Sequence, residues 1–219
     1  MERWVLLRKG ADFEAIGKKY QISPRLACLI RNRDVIGEEA VDRYLNGTIS
    51  DLYDGMLMKD MDKAIDILKE KILEDKKIRV IGDYDIDGVN ATYILLEGLE
   101  RLGADVDSDI PDRISDGYGL NRHLVERAYE AGVDTLITCD NGIAAADEIA
   151  YGKEMGMTVI VTDHHEVPFD EHDGEKRYRI PPADAVMDPK QPDCFYPFKG
   201  LCGAAVAYKL MEALWESMG

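Results

Sequence analysis

The sequence has little that suits an oxidising compartment or a bilayer. Its four cysteines, Cys28, Cys139, Cys194 and Cys202, form no Cys-x-x-Cys pair, which argues against a disulfide framework and for reduced thiols inside a cell. No apolar run approaches the roughly 20 residues of a membrane span. Arg3, Arg8 and Lys9 interrupt the short apolar start, so neither a transmembrane helix nor a signal peptide is read and a cytoplasmic location is expected. Positive charge is scarce in one part only: residues 1–77 hold 15 Lys and Arg against 15 Asp and Glu, whereas residues 78–219 hold 12 against 28. The net charge of −16 therefore lies wholly in the second part. Its field opposes nonspecific binding of a polyanion, so a nucleic-acid substrate would need local basic groups, bound cations or a further domain.

What is present centres on Val80–Ala91. Asp83, Asp85 and Asp87 stand at alternate positions after the β-branched run Ile78–Ile81 and before apolar residues at helical spacing, which predicts a strand-to-helix turn crowded with carboxylates. Their mutual repulsion is relieved by a hard divalent cation with oxygen ligands, manganese or magnesium. A calcium EF-hand loop opens in the same way but needs Glu at its twelfth position, where Ile94 stands. A plainer reading is an acidic turn whose aspartates cap the helix starting near Gly88.

The first 77 residues read as a small helical region without a chemical motif. It has helices at Asp12–Tyr20, from Ser23 with Pro24 in its first turn, at Gly37–Leu45 and over about Lys59–Asp75. From residue 78 to 219 strands and helices alternate. Strands are expected at Ile78–Gly82, Asp105–Ile110, Thr135–Cys139 and Thr158–Thr162, with helices at Val89–Leu102, Asn121–Ala131 and Ala144–Met155. This pattern predicts an α/β fold with a doubly wound parallel sheet, which binds ligands beyond the carboxyl ends of its strands. Acidic motifs fall at those ends: Asp83/Asp85/Asp87, then Asp140-Asn141-Gly142, then Asp163-His164-His165. Three independent turns supplying metal-ligand types at one edge point to a divalent-metal site. His123 reads as part of the first turn of a helix, and His172 falls in a charged loop over Asp170–Arg179.

The order Gly82-Asp83-Tyr84-Asp85-Ile86-Asp87-Gly88, Cys139-Asp140-Asn141-Gly142, Thr162-Asp163-His164-His165 resembles that of the DHH phosphoesterases. Within that family the likeness is to its single-strand-specific DNA exonucleases. It rests further on Ile110-Pro111-Asp112-Arg113, Asp116-Gly117-Tyr118-Gly119-Leu120, Pro189–Cys194 and Gly200–Leu210. The resemblance implies two divalent cations, Mn2+ or Mg2+, held by Asp83, Asp85, Asp87, Asp140, His164 and His165. Asp140 would bridge them, Asp163 would orient an imidazole, and Asp140, His164 and His165 would stand at the reacting centre. The implied activity is 5′-to-3′ hydrolysis of single-stranded DNA to 5′-mononucleotides, in DNA repair and recombination. Arg113, Lys190 and Lys199 are the expected phosphate contacts, and Tyr118, between two glycines, is a turn residue that could stack on a base.

Two departures stand out. Asp188 occupies a position where these exonucleases usually carry Asn before Pro, and the family's final acidic motif and its associated domain would lie beyond Gly219. The chain is therefore expected to be an N-terminal part of a longer protein, folded but of low activity alone. Other readings are a DHH phosphoesterase of cyclic dinucleotides, short oligonucleotides or pyrophosphate, which the acidic surface favours, and a non-catalytic scaffold in replication or repair. A haloacid-dehalogenase-like phosphatase, suggested by Asp85-Ile86-Asp87-Gly88-Val89, has no use for Asp163-His164-His165.

Overall fold

The computed structural model describes residues 5, 9–112, 117, 119–172 and 174–219. Packing divides the chain into two units, Met1–Leu52 and Tyr53–Gly219. In the first, α1 (Phe13–Tyr20), α2 (Pro24–Asn32) and α3 (Glu38–Asn46) follow one another through short connections. Asp12 caps α1 by accepting from the Ala15 amide at 2.9 Å, and Ser23 caps α2, with Pro24 in the first turn where its missing N–H costs nothing.

The second unit begins before the change of sequence pattern at residue 78. Its first long helix, α4 (Met61–Leu73), buries Met61, Ala64, Ile65 and Leu68, and the Asp60 carboxylate accepts from the Val186 amide at 3.0 Å. The helical region expected over residues 1–77 is thus split by packing, because α4 owes its buried stripe to the same core as the sheet. The remaining elements are β1 (Ile78–Ile81), α5 (Ile86–Arg101), β2 (Val106–Asp109), α6 (Arg122–Glu130), β3 (Thr135–Cys139), α7 (Ala146–Glu154), β4 (Thr158–Thr162), β5 (Phe169–His172), β6 (Glu175–Tyr178), β7 (Ala185–Met187) and α8 (Gly203–Met218).

Strands β2-β1-β3-β4-β7 form a parallel sheet in that order, the doubly wound α/β arrangement. Side chains alternate across it. Val80, Ile137 and Ile160 join α4, α5 and α8 on one face, while Ile81, Leu136, Val159 and Val161 join α6 and α7 on the other. Strand order reverses between β1 and β3, so the crevice beyond their carboxyl ends is the place for a ligand.

Three expectations are corrected. Helix α5 starts at Ile86 rather than Val89, because Asp85 serves as its cap; Asp87 is therefore inside the first turn. The charged stretch Asp170–Arg179 is not a loop: β5 and β6 pair antiparallel from Phe169↔Tyr178 to His172↔Glu175. The short β7 was not anticipated; it is wholly buried and extends the sheet beyond β4.

Candidate metal centre

The site is assembled by chain ends that leave the sheet in one direction. After β1, Asp83 is buried, and Asp85 turns its Oδ1 to the amides of Asp87 and Gly88 at 2.8 and 3.0 Å. This capping engages one Asp85 oxygen, so a helix cap and a metal ligand are compatible roles for this residue. Gly88 is required there: a Cβ would stand 2.6 Å from the Asp83 carbonyl oxygen.

After β3, Asp140 adopts φ 60°, a left-handed conformation costly for a residue with a Cβ. Buried Asn141 supports this turn, donating from Nδ2 to the carbonyls of Ile81 at 3.1 Å and Cys139 at 2.9 Å. After β4, Asp163 organises the histidine pair. Its Oδ1 accepts from the His164 and His165 amides at 2.7 and 3.2 Å and lies 2.7 Å from His165 Nδ1, and its Oδ2 accepts from the Ile143 amide at 2.9 Å. Asp163 therefore orients an imidazole, as metal-ligating histidines require. His164 Nε2 lies 2.9 Å from Asp140 Oδ1 and 3.4 Å from Asp87 Oδ2.

Two overlapping ligand triads result. One atom each from Asp83, Asp85 and Asp140, and one each from Asp140, His164 and His165, lie within 4.8 Å of one another; Asp140 belongs to both. Asp87 stands in neither. Its Oδ2 and Oδ1 accept from the Gly203 and Ala204 amides at 2.7 and 2.8 Å, fastening the start of α8 to the start of α5.

The electrostatics show a cluster short of positive charge. Neither oxygen of Asp83 makes a well-formed hydrogen bond, and burial raises its pKa, only partly opposed by the nearby Tyr84 and Asp85 amides. Burial, then the charges of Asp87 and Asp85, push Asp140 up to about 7. Burial disfavours the Asp87 charge, but the Ala204 and Gly203 amides, the Cys202 side chain and the His164 charge together hold its pKa below the ordinary value. His164 is lowered by burial, while the Asp163 hydrogen bond raises His165. Orphaned buried carboxylate oxygens beside two imidazoles fit a hard divalent cation; Asp83, Asp85, Asp140, His164 and His165, with Asp87 3.4 Å from His164, are the residues that could hold one or two.

Of the expected phosphate contacts, Lys190 lies near the centre: its backbone amide donates to Asp188 Oδ1 at 2.7 Å, and its ammonium is 3.1 Å from Glu166 Oε1. Lys199 donates to the Cys194 carbonyl at 2.6 Å, within its own loop. Arg113, with Asp116 and Tyr118, lies outside the described residues. His123 sits in the first turn of α6, and His172 ends β5.

The role of Asp188 was understated by the sequence. It follows β7 at the same edge of the sheet, is fully buried with Oδ2 unbonded, and burial pushes it up to about 7. Its place at this edge comes from β7, which runs parallel to β4 and ends at Met187.

The N-terminal domain of the DHH family matches residues 77–218. The chain is 40% identical over 213 residues to the single-stranded-DNA-specific exonuclease RecJ of Bacillus subtilis, covering 97% of this chain and 26% of that protein. It is 32% identical over 215 residues to the RecJ of Escherichia coli, covering 98% and 35%. The chain thus spans about a quarter to a third of the length of these relatives. A crystal structure of RecJ from Thermus thermophilus in complex with Mn2+ is similar over 99% of this chain and 29% of that one, with TM-score 0.66 at 31% identity. A crystal structure of exonuclease RecJ bound to manganese covers 74% and 39%, with TM-score 0.63 at 38% identity. Because the family match takes in the whole parallel sheet and each of its three acidic strand ends, the chain belongs to the DHH family.

Proposed function

We propose that this chain forms the metal-bearing part of a single-strand-specific DNA exonuclease that hydrolyses phosphodiester bonds from the 5′ end. The observation that carries the reading is Asp140, the residue common to both ligand triads. Asp83, Asp85 and Asp140 would hold one cation, and Asp140, His164 and His165 a second. Two such cations, manganese or magnesium, lower the pKa of a bound water and neutralise the phosphoryl oxygens. Asp163 fixes the His165 ring through Nδ1, which leaves the other nitrogen available to a cation. Asp87, whose Oδ2 lies 3.4 Å from His164 Nε2, stands beside the second cation's ligands and also joins the starts of α5 and α8, which keeps Asp140 against Gly203. Lys190 is a cationic side chain for a substrate phosphate, close enough to the centre for its charge to help lower the His164 pKa. Relatives named for action on single-stranded DNA support this substrate and, with the unpaired cysteines, a cytoplasmic setting. No described helix is long and apolar enough to cross a membrane.

The test uses the full-length protein with manganese on end-labelled strands. Release of labelled mononucleotide at once from a 5′-labelled single strand, slow loss of a 3′ label and no cleavage of blunt duplex are expected. Turnover confined to dinucleotides or cyclic dinucleotides would favour the small-substrate reading, and no turnover with intact metal uptake would favour a scaffold.

A further inference from the structure

Helix α5 carries an apolar row that its own packing does not use. Its buried stripe is Gly88, Ala91, Thr92, Leu95, Gly98 and Leu99. Ile86, Val89 and Tyr93 lie off that stripe and are 79%, 43% and 59% exposed. Spaced three and four residues apart, they share one helix face and form a ledge about 10 Å long. The ledge begins in the same turn as the acidic motif, since Ile86 stands between Asp85 and Asp87. Asn90, on the same turns, donates its amide nitrogen to the Ile86 carbonyl at 2.6 Å. Beyond Tyr93 the surface continues into a groove of about 470 Å3 between α5 and α8, also lined by Tyr208, Met211 and Trp215.

This face is unsuited to phosphates. Along α5 the first cationic side chain is Arg101, which is paired with Glu97 at 2.9 Å, and the ligand carboxylates lie at the helix start. It is suited to the other part of a single strand, the unpaired bases, whose faces stack on apolar and aromatic side chains without regard to sequence. We propose that Ile86, Val89 and Tyr93 are positioning residues that receive the bases next to the phosphate held at the metal centre. The strand is then held by stacking where the surrounding negative field denies it electrostatic attachment. This rests on the single-strand nuclease reading above.

The experiment compares binding of two phosphorothioate-linked strands to the full-length protein, by fluorescence anisotropy. One is oligothymidylate; the other has the same backbone with abasic sites. Tyr93→Ala is expected to weaken oligothymidylate binding on the order of tenfold, the scale of one stacked base, and Ile86→Ala several-fold. Neither should change binding of the abasic strand, and manganese uptake by Tyr93→Ala, followed by calorimetry, should match wild type. Equal losses on both strands would mean that the ledge is covered by protein instead, and no loss on either would mean that it touches nothing; each overturns the proposal while leaving the nuclease reading standing. Failure of the wild-type protein to bind any single strand would overturn both.

Discussion

Replacing Gly203 with alanine would put a methyl carbon 2.7 Å from Asp140 Oδ1 and 2.8 Å from its Cβ and Cγ. Ordinary contacts at such pairs need about 3.4 Å or more, so a shift of roughly 0.6 Å is required, and neither side yields readily. Asp140 is buried in a left-handed turn, and the start of α8 is fastened to Asp87 by two short hydrogen bonds. Overpacking of this kind costs about 1–3 kcal/mol, against at most about 1 kcal/mol gained from the better helix former. The larger effect falls on the metal. Disturbing the support of a ligand typically costs about 10–100-fold in affinity. At manganese about 100-fold above Kd, one site in the wild-type chain adds about 2.7 kcal/mol of stability. For a unit of this size that is a rise of about 5–11 °C in Tm. At the same concentration the variant would gain only about 0.4–1.4 kcal/mol. Differential scanning calorimetry with and without manganese reads both quantities. A variant whose manganese-induced rise equals that of wild type would refute the reasoning, whatever its metal-free Tm, because the ligand would then not have moved.

The metal-free chain should lose stability as pH rises from about 4 to 7. Asp140 and Asp188 have folded pKa values of about 7 above unfolded values near 3.8, so the folded state binds the extra protons in that window and their contribution is gone above it. His165, raised, acts in the same direction and His164, lowered, opposes it; urea midpoints in EDTA at pH 5 and pH 8 check the sign, and a higher midpoint at pH 8 would contradict it. Leu68→Ala, at a fully buried site, should cost about 2–5 kcal/mol without altering manganese uptake; a negligible loss in thermal or urea unfolding would show that α4 does not belong to the α/β core. Lys190→Ala in the full-length protein should weaken single-strand binding and lower the slope of log K against log salt by about 0.7, measured by titration at several salt concentrations; an unchanged slope would remove Lys190 from the phosphate contacts.

Some elements were plain from the residues because local chemistry and tertiary role coincide. Thr135–Cys139 and Thr158–Thr162 are short β-branched runs ended by polar turns, and both are strands over those same residues. The gathering of Asp83, Asp85, Asp87, Asp140, His164 and His165 at one edge was legible because alternation of strand and helix sends every such turn there. What was not legible depends on distant partners or on exposed surfaces. The tie from Asp87 to the Gly203 and Ala204 amides joins residues more than a hundred positions apart, and no local pattern announces it. The described side chains of β5 and β6 are exposed, so the charged residues imitate a loop, although Asp173-Gly174 in the sequence is a hairpin signal. Strand β7 spans three residues, too few to show a period, and with it went the burial of Asp188.

Anomalous scattering from a crystal of this chain soaked in manganese reads whether Asp140 is shared between two cations. Two peaks are predicted, one among Asp83, Asp85 and Asp140 and one among Asp140, His164 and His165. No ordered peak at saturating manganese, or a cation bound without Asp140, would contradict the account.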